Sequence, residues 1–179
     1  MLYILSAQIL FESCVNGEQA SLIYGGSYNH STIEEWQKIY ALEKPLIQKA
    51  IILILEGGQE VVISVSGSPF IMPSGKEVLI ISDWPISKQK YEIEYYERPH
   101  NAAIYNSDGT FHHQLTVPNE LLTLGGEGWY IHSTYYADFS SIQGFGVMVT
   151  NDHHWPELCF CLYDGTPNLV WTGYQQERR

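Results

Sequence analysis

The sequence predicts a mainly β fold, an antiparallel twisted sheet or β-sandwich with one or two short helices. Short segments rich in β-branched and aromatic residues recur along the whole chain, and turns containing Gly, Asn and Asp separate them. One capped amphipathic segment interrupts the series and predicts the clear helix. At 179 residues the chain has the length of one domain, expected over 1–179. A domain of that size buries enough surface to need no disulfide or metal staple.

Local chemistry justifies each element in turn. Residues 2–11 mix apolar, aromatic and β-branched side chains and predict a strand buried on at least one face. Asn16-Gly17 turns it into a second strand over 20–24, closed by Gly25-Gly26, which makes a hairpin. A helix is predicted over 33–42. Ser31 and Thr32 stand three residues before Glu34 and Glu35, so a capping box forms in either register, and both Glu favour the positive end of the dipole. Trp36, Ile39 and Tyr40 share its apolar face, and Pro45 limits its extension.

Strands are expected next over 49–55, 60–66 and 77–83, punctuated by Gly57-Gly58, Gly67-Ser68-Pro69 and Ser74-Gly75. Over 91–97, Tyr91, Ile93 and Tyr95 alternate with Glu92, Glu94 and Tyr96, the pattern of a half-buried antiparallel strand. The strongest hairpin signal joins 102–105 to 110–117 through Asn106-Ser107-Asp108-Gly109. Further strands are expected over 129–136, 145–150, 158–163 and 169–174, the last two flanking Asp164-Gly165. The Asp-Gly-Thr sequence occurs in both hairpin turns, which shared turn chemistry explains without an internal repeat.

Charge narrows the function. The formal net charge is −11, which argues against nucleic acid as a direct ligand and against an anionic membrane surface. No Lys or Arg stands between Arg98 and Arg178, and that stretch holds eight acids and six of the seven His. A surface built from it is acidic without internal pairing and receives an outside cation, or else the acids serve only solubility. Within it, alternation places Trp129 and Tyr135 on one strand face and Tyr130 and Tyr136 on the other. Aromatic anchors beside acids match the composition of a protein interface. The expected partner-binding residues are therefore Glu92, Glu94, Asp138 and Asp152, which steer the encounter, and Trp129, Tyr135, Tyr136 and Trp155, which supply contacts. The competing reading is that most of these aromatics are sheet core.

The three cysteines, Cys14, Cys159 and Cys161, form no spaced framework and predict reduced thiols in a cytoplasmic protein. The apolar N-terminus lacks a basic region and a cleavage site, so it reads as a strand rather than a signal peptide. Cys159 and Cys161 with His153 or His154 suggest zinc, but the Cys spacing is short and a second half-site is missing, so no metal or cofactor is expected. His112-His113 and His153-His154 each offer a general base, yet no nucleophile motif or phosphate loop accompanies them, and the chain is not expected to be an enzyme.

The segment over 103–118, with its Tyr105-Asn106-Ser107-Asp108-Gly109 turn leading to Leu115-Thr116-Val117-Pro118, resembles immunity proteins of bacterial polymorphic toxin systems. The closing run Cys161-Leu162-Tyr163-Asp164-Gly165-Thr166 with Leu169-Val170-Trp171 is similar to their final hairpin. The chain departs from the pattern at His112-His113, where a basic residue is expected, and in the helix over 33–42. The resemblance implies a small cytoplasmic protein that neutralises one cognate toxin domain of a contact-dependent inhibition system by one-to-one binding. Such toxins are frequently nucleases and hence basic. The chain itself is expected to be a monomer or weak dimer. A small hydrolase or metal-binding enzyme built on the His residues, and an acidic structural or adaptor domain, are the alternatives.

Overall fold

The computed structural model describes residues 2–25, 28–82, 94–125, 128–135, 145–152 and 158–176. Within them the mainly β expectation holds: the strands form three antiparallel sheets, accompanied by two short helices. Asn16-Gly17 reverses β1 (Ile4–Ser13) into β2 (Gln19–Gly25), as the turn chemistry predicts, and β3 (Tyr28–Asn29) extends that hairpin. After α1 (Ile33–Ala41) the chain returns through β4 (Leu46–Leu55) and β5 (Glu60–Ile63). The first sheet has the order β3-β2-β1-β4-β5. The second is a meander of β6 (Ser68–Ile71), β7 (Glu77–Ile81), β8 (Ala102–Asn106) and β9 (Phe111–Leu115). After α2 (Asn119–Gly125), a second meander of β10 (Trp129–Tyr135), β11 (Phe145–Asn151), β12 (Leu158–Tyr163) and β13 (Val170–Gln176) makes the third sheet.

The sheets stack in three layers with the second in the middle. Along β7, Val78 and Ile80 pack with Ile51, Leu53 and Ile63 of the first sheet, while Leu79 and Ile81 pack with Ile131, Val147 and Val149 of the third. Every residue from Val78 to Ile81 is at most 1% exposed. Strands covered on both faces must be apolar at consecutive positions, and β7 and β8 are. Each outer sheet turns its other face away from the middle sheet.

Polar side chains join the layers. Asn101, 2% exposed, donates through Nδ2 to the carbonyls of Ser82 and Ile131, both at 2.9 Å, and accepts the Ile131 N–H at 2.8 Å. It thus ties the second sheet to the third. Gln48 on β4 donates to the Gly67 carbonyl at 3.0 Å and accepts the Gly67 N–H at 3.1 Å, tying the first sheet to the second.

Local signals were mostly followed. Thr32 takes the N-cap of α1: its Oγ1 accepts from the Glu35 N–H at 3.2 Å while Glu35 accepts from the Thr32 N–H at 2.6 Å. Ile39 is buried beneath the helix, but Tyr40 is 70% exposed and stacks on Trp36, and Leu42 fills the buried place instead. In both Asp-Gly-Thr turns one carboxylate oxygen accepts the N–H and hydroxyl of the Thr two residues on: Asp108 from Thr110 and Asp164 from Thr166. These bonds hold both carboxyls below their ordinary range.

Two expectations needed correction. Ser68 and Pro69 belong to β6 rather than to a turn, a place Pro tolerates because β6 is a sheet edge and needs no donor on its open side. Of the strand expected over 91–97, residues 91–93 lie outside the described residues, Glu94 makes only an isolated parallel bridge with Val65, and 95–97 carry no strand.

Asn101→Ala removes three hydrogen bonds at once between buried groups. It is expected to lower stability by roughly 2–4 kcal/mol, read from the urea midpoint. Gly67→Ala is expected to be damaging too, because at φ +153° its Cβ meets the Ile81 carbonyl oxygen at 2.5 Å. Gly57→Ala, at φ +89° with nothing within 4 Å, should cost only about 1 kcal/mol.

Candidate functional site

A cleft opens where the second and third sheets meet. Beyond β9, Thr116 donates its N–H to the Pro167 carbonyl at 2.8 Å, accepts the Leu169 N–H at 3.1 Å, and sends its hydroxyl to Asn168 Oδ1 at 2.7 Å. This stitch brings the start of α2 beside the start of β13. Val117, Leu121 and Leu169 are buried and anchor the two walls in the core. Above them lies a space of about 290 Å³ whose lining includes Asn119, Glu120, Asn168 and the half-buried Trp171. The cleft therefore offers a carboxylate, an indole and neutral polar groups. Its lining belongs wholly to the stretch without Lys or Arg. Along one side runs β13, the edge strand of its sheet, with Val170 and Tyr174 exposed.

The structure redistributes the expected contact residues. Trp129 is 4% exposed within the core between the second and third sheets, so the aromatic anchor expected there is a packing residue. Its indole N–H is buried with no hydrogen-bond partner among the described residues. Trp129 and Tyr135 do not share a face. A bulge between Ile131 and Ser133 reverses the alternation, so Tyr135 points away from that core and packs edge-on against Phe160, ring centroids 5.0 Å apart. The Tyr135 hydroxyl donates to the Cys161 carbonyl at 3.0 Å, and burial pushes its pKa up to about 12.

Asp152 is exposed but not unpaired: it forms an ion pair with Arg98, whose guanidinium also lies 3.4 Å from the Tyr130 ring centroid. The expectation of acids without internal partners fails at this position, because a base just before the base-free stretch folds back onto it. Glu94 is exposed, and its backbone carbonyl accepts from the Ser66 N–H at 2.7 Å. Glu92, Tyr136, Asp138 and Trp155 lie outside the described residues, as do His153 and His154. Reasoning from sequence missed Glu120, Asn168 and Trp171 as a group. The visible signals were Pro118-Asn119-Glu120 before an apolar run and a Trp two residues after Leu169, but their meeting depends on the Thr116 stitch.

The cysteines and histidines have other surroundings. Cys159 and Cys161 are buried on the core face of β12, and burial pushes the Cys161 thiol up to about 12, which keeps it protonated. His112 Nδ1 lies 2.9 Å from Glu77 Oε1, its ring sits 4.4 Å from that of His113, and His113 Nε2 lies 3.1 Å from the Tyr163 hydroxyl. Burial lowers the His113 pKa, with His112 adding to the effect, and raises Tyr163 to about 12. The relay thus joins a neutral imidazole to a neutral phenol across two sheets, an arrangement that fastens β9 to β12. Among the described residues no group of three or more His, Cys, Asp or Glu is placed to hold a metal ion.

No family model, curated protein or solved structure matches the chain.

His100 and His113 generate a pH dependence. Burial lowers both pKa values, and His100 Nδ1 accepts the Val117 N–H at 3.2 Å, which only the neutral ring allows. In the unfolded chain both titrate near about 6.5. As pH falls through that value the unfolded state takes up protons that the folded state refuses, so stability is constant above it and declines until the folded histidines titrate. Urea midpoints at pH 7.5 and 5.5 should therefore differ, and His100→Gln and His113→Gln should each shrink the difference.

Proposed function

We propose that this chain is a binding protein that neutralises a basic toxin domain by one-to-one association, in the manner of the immunity proteins it resembles in sequence. The observation that supports this best is the cleft lined by Glu120 and Trp171 in a region without Lys or Arg. A carboxylate beside an indole suits an Arg or Lys side chain, which pairs with the one and stacks on the other. The exposed edge of β13 beside it suits main-chain pairing with an extended segment of the partner. The net charge of −11 would speed the encounter with a basic surface. Exposed acids, including Glu94, contribute to that field, whereas Arg98 already compensates Asp152.

The test is calorimetric titration with the toxin domain encoded by the gene immediately upstream, at low and moderate salt. A one-to-one complex that weakens with salt is expected. Glu120→Gln and Trp171→Ala should each weaken it about 10- to 100-fold, with Trp171→Ala also losing some stability. A complex indifferent to both substitutions would place the interface elsewhere, and no binding at either salt would sink the reading for that pair.

A further inference from the structure

The first sheet uses one face against β7, β8 and α1 and leaves the other uncovered by any described element. Pairing register fixes what that outer face carries. Gln8 lies between Ile23 and Ile52, and Ile52 lies opposite Val62; Ser6 lies opposite Ile54, which lies opposite Glu60; Leu10 lies opposite Ala50. Leu10, Ile23, Ile52 and Ile54 are only half-buried, and Val62 is 61% exposed. The result is an apolar patch running along β4 from Leu10 and Ala50 through Ile52 and Val62 to Ile54, with Ile23 beyond Gln8, the kind of surface that marks an interaction site.

Charge identifies the occupant. A patch with two anions and one cation is a poor target for a strongly basic partner, and the protein's net charge of −11 repels anionic lipid. The charged groups lie at opposite ends of the patch. Glu12 of β1 and Lys49 of β4, paired at 3.5 Å, stand toward the start of β4, and Glu60 of β5 stands beside its end. We infer that this face seats a second copy of the chain, the two first sheets packing face to face about a two-fold axis that reverses strand direction. That symmetry lays Lys49 of each copy over Glu60 of the other and Ile52 and Val62 of both at the centre. It is self-complementary, as an isologous interface must be. It also spares two acidic molecules a like-charge contact, which an approach through the base-free region would impose. Aligned sheets with the same twist pack well at about 30° to each other.

The test is sedimentation equilibrium of the intact protein from about 1 to 100 µM. The expected result is a mass that rises from that of the monomer to twice it. Val62→Glu, at a site too exposed to endanger folding, should weaken association at least about tenfold, and Lys49→Glu should do likewise. Lys49→Glu combined with Glu60→Lys should return to within about threefold of the natural protein, since the pair is exchanged rather than lost. A monomer throughout the range, or a dimer unmoved by Val62→Glu, overturns the proposal. Failure of the exchanged pair to restore association overturns the antiparallel arrangement. The toxin-binding reading stands apart from these outcomes, because its variants lie on the second and third sheets' side of the molecule.

Discussion

The burial of β7 and β8 on both faces is the constraint from which the architecture follows. A strand covered on one side alternates, but one covered on both has no position left for a charged or strongly polar side chain. Val78 to Ile81 and Ala102 to Ile104 obey that rule without exception. Because their side chains point alternately to the two outer sheets, each outer sheet must offer a complementary apolar face, and the cores on either side of the middle sheet are built from such residues. The main-chain groups where these strands end are buried as well and need partners. Asn101 meets that need for Ser82 at the end of β7 while it bonds Ile131 of the third sheet, and Gln48 of the first sheet bonds Gly67 just before β6, so the two amides hold the layers in register where apolar packing alone would let them slide.

Three layers also determine where function can reside. The two central strands, β7 and β8, have no free face, so partners are left with the outer faces, the outer strands and the seams. The cleft at Glu120 and Trp171 is a seam. It exists because Thr116 and Leu169 exchange main-chain hydrogen bonds between the second and third sheets, and because α2 has to begin at once to bury Leu121. The side chains that line it come from two walls that the Thr116 hydrogen bonds tie together.

Local structure was legible in the sequence where it rests on local chemistry. The Asn-Gly and Asp-Gly reversals and the Thr32 capping box depend on residues within a few positions of one another, and they are present as expected. The same sequence did not reveal which face of a strand is the core. Trp129 and Tyr135 stand six residues apart, an even spacing that implies one shared face, yet one extra residue between Ile131 and Ser133 separates them into core and outer surface. A bulge has no reliable composition signal, so alternation carries a face assignment only up to the first bulge. The pairing of Asp152 with Arg98 was hidden for a different reason: a base-free stretch of sequence is not a base-free surface when a neighbouring residue folds back onto it. Pro69 misled in the same way, since its restriction applies to central strands and β6 lies at an edge.

The acidity of the chain gains a sharper meaning once each charge has a place. Asp152 has Arg98 beside it and Glu12 has Lys49, so each of these anions has a cation within the molecule. Asp108 and Asp164 are held ionised by Thr110 and Thr166, hydrogen-bond donors that bring no positive charge, so their full negative charge remains in the field. Both of these turns lie in the part of the sequence that lacks Lys and Arg, and the Asp164 turn immediately precedes the wall of the cleft formed by Asn168 and Trp171. The hairpin chemistry that reverses the chain there thus also sets an anion in the turn that leads into the Asn168 and Trp171 wall. A cationic side chain entering the cleft would meet a field to which the turn itself contributes, because the hydrogen bonds from Thr166 favour the ionised form of Asp164.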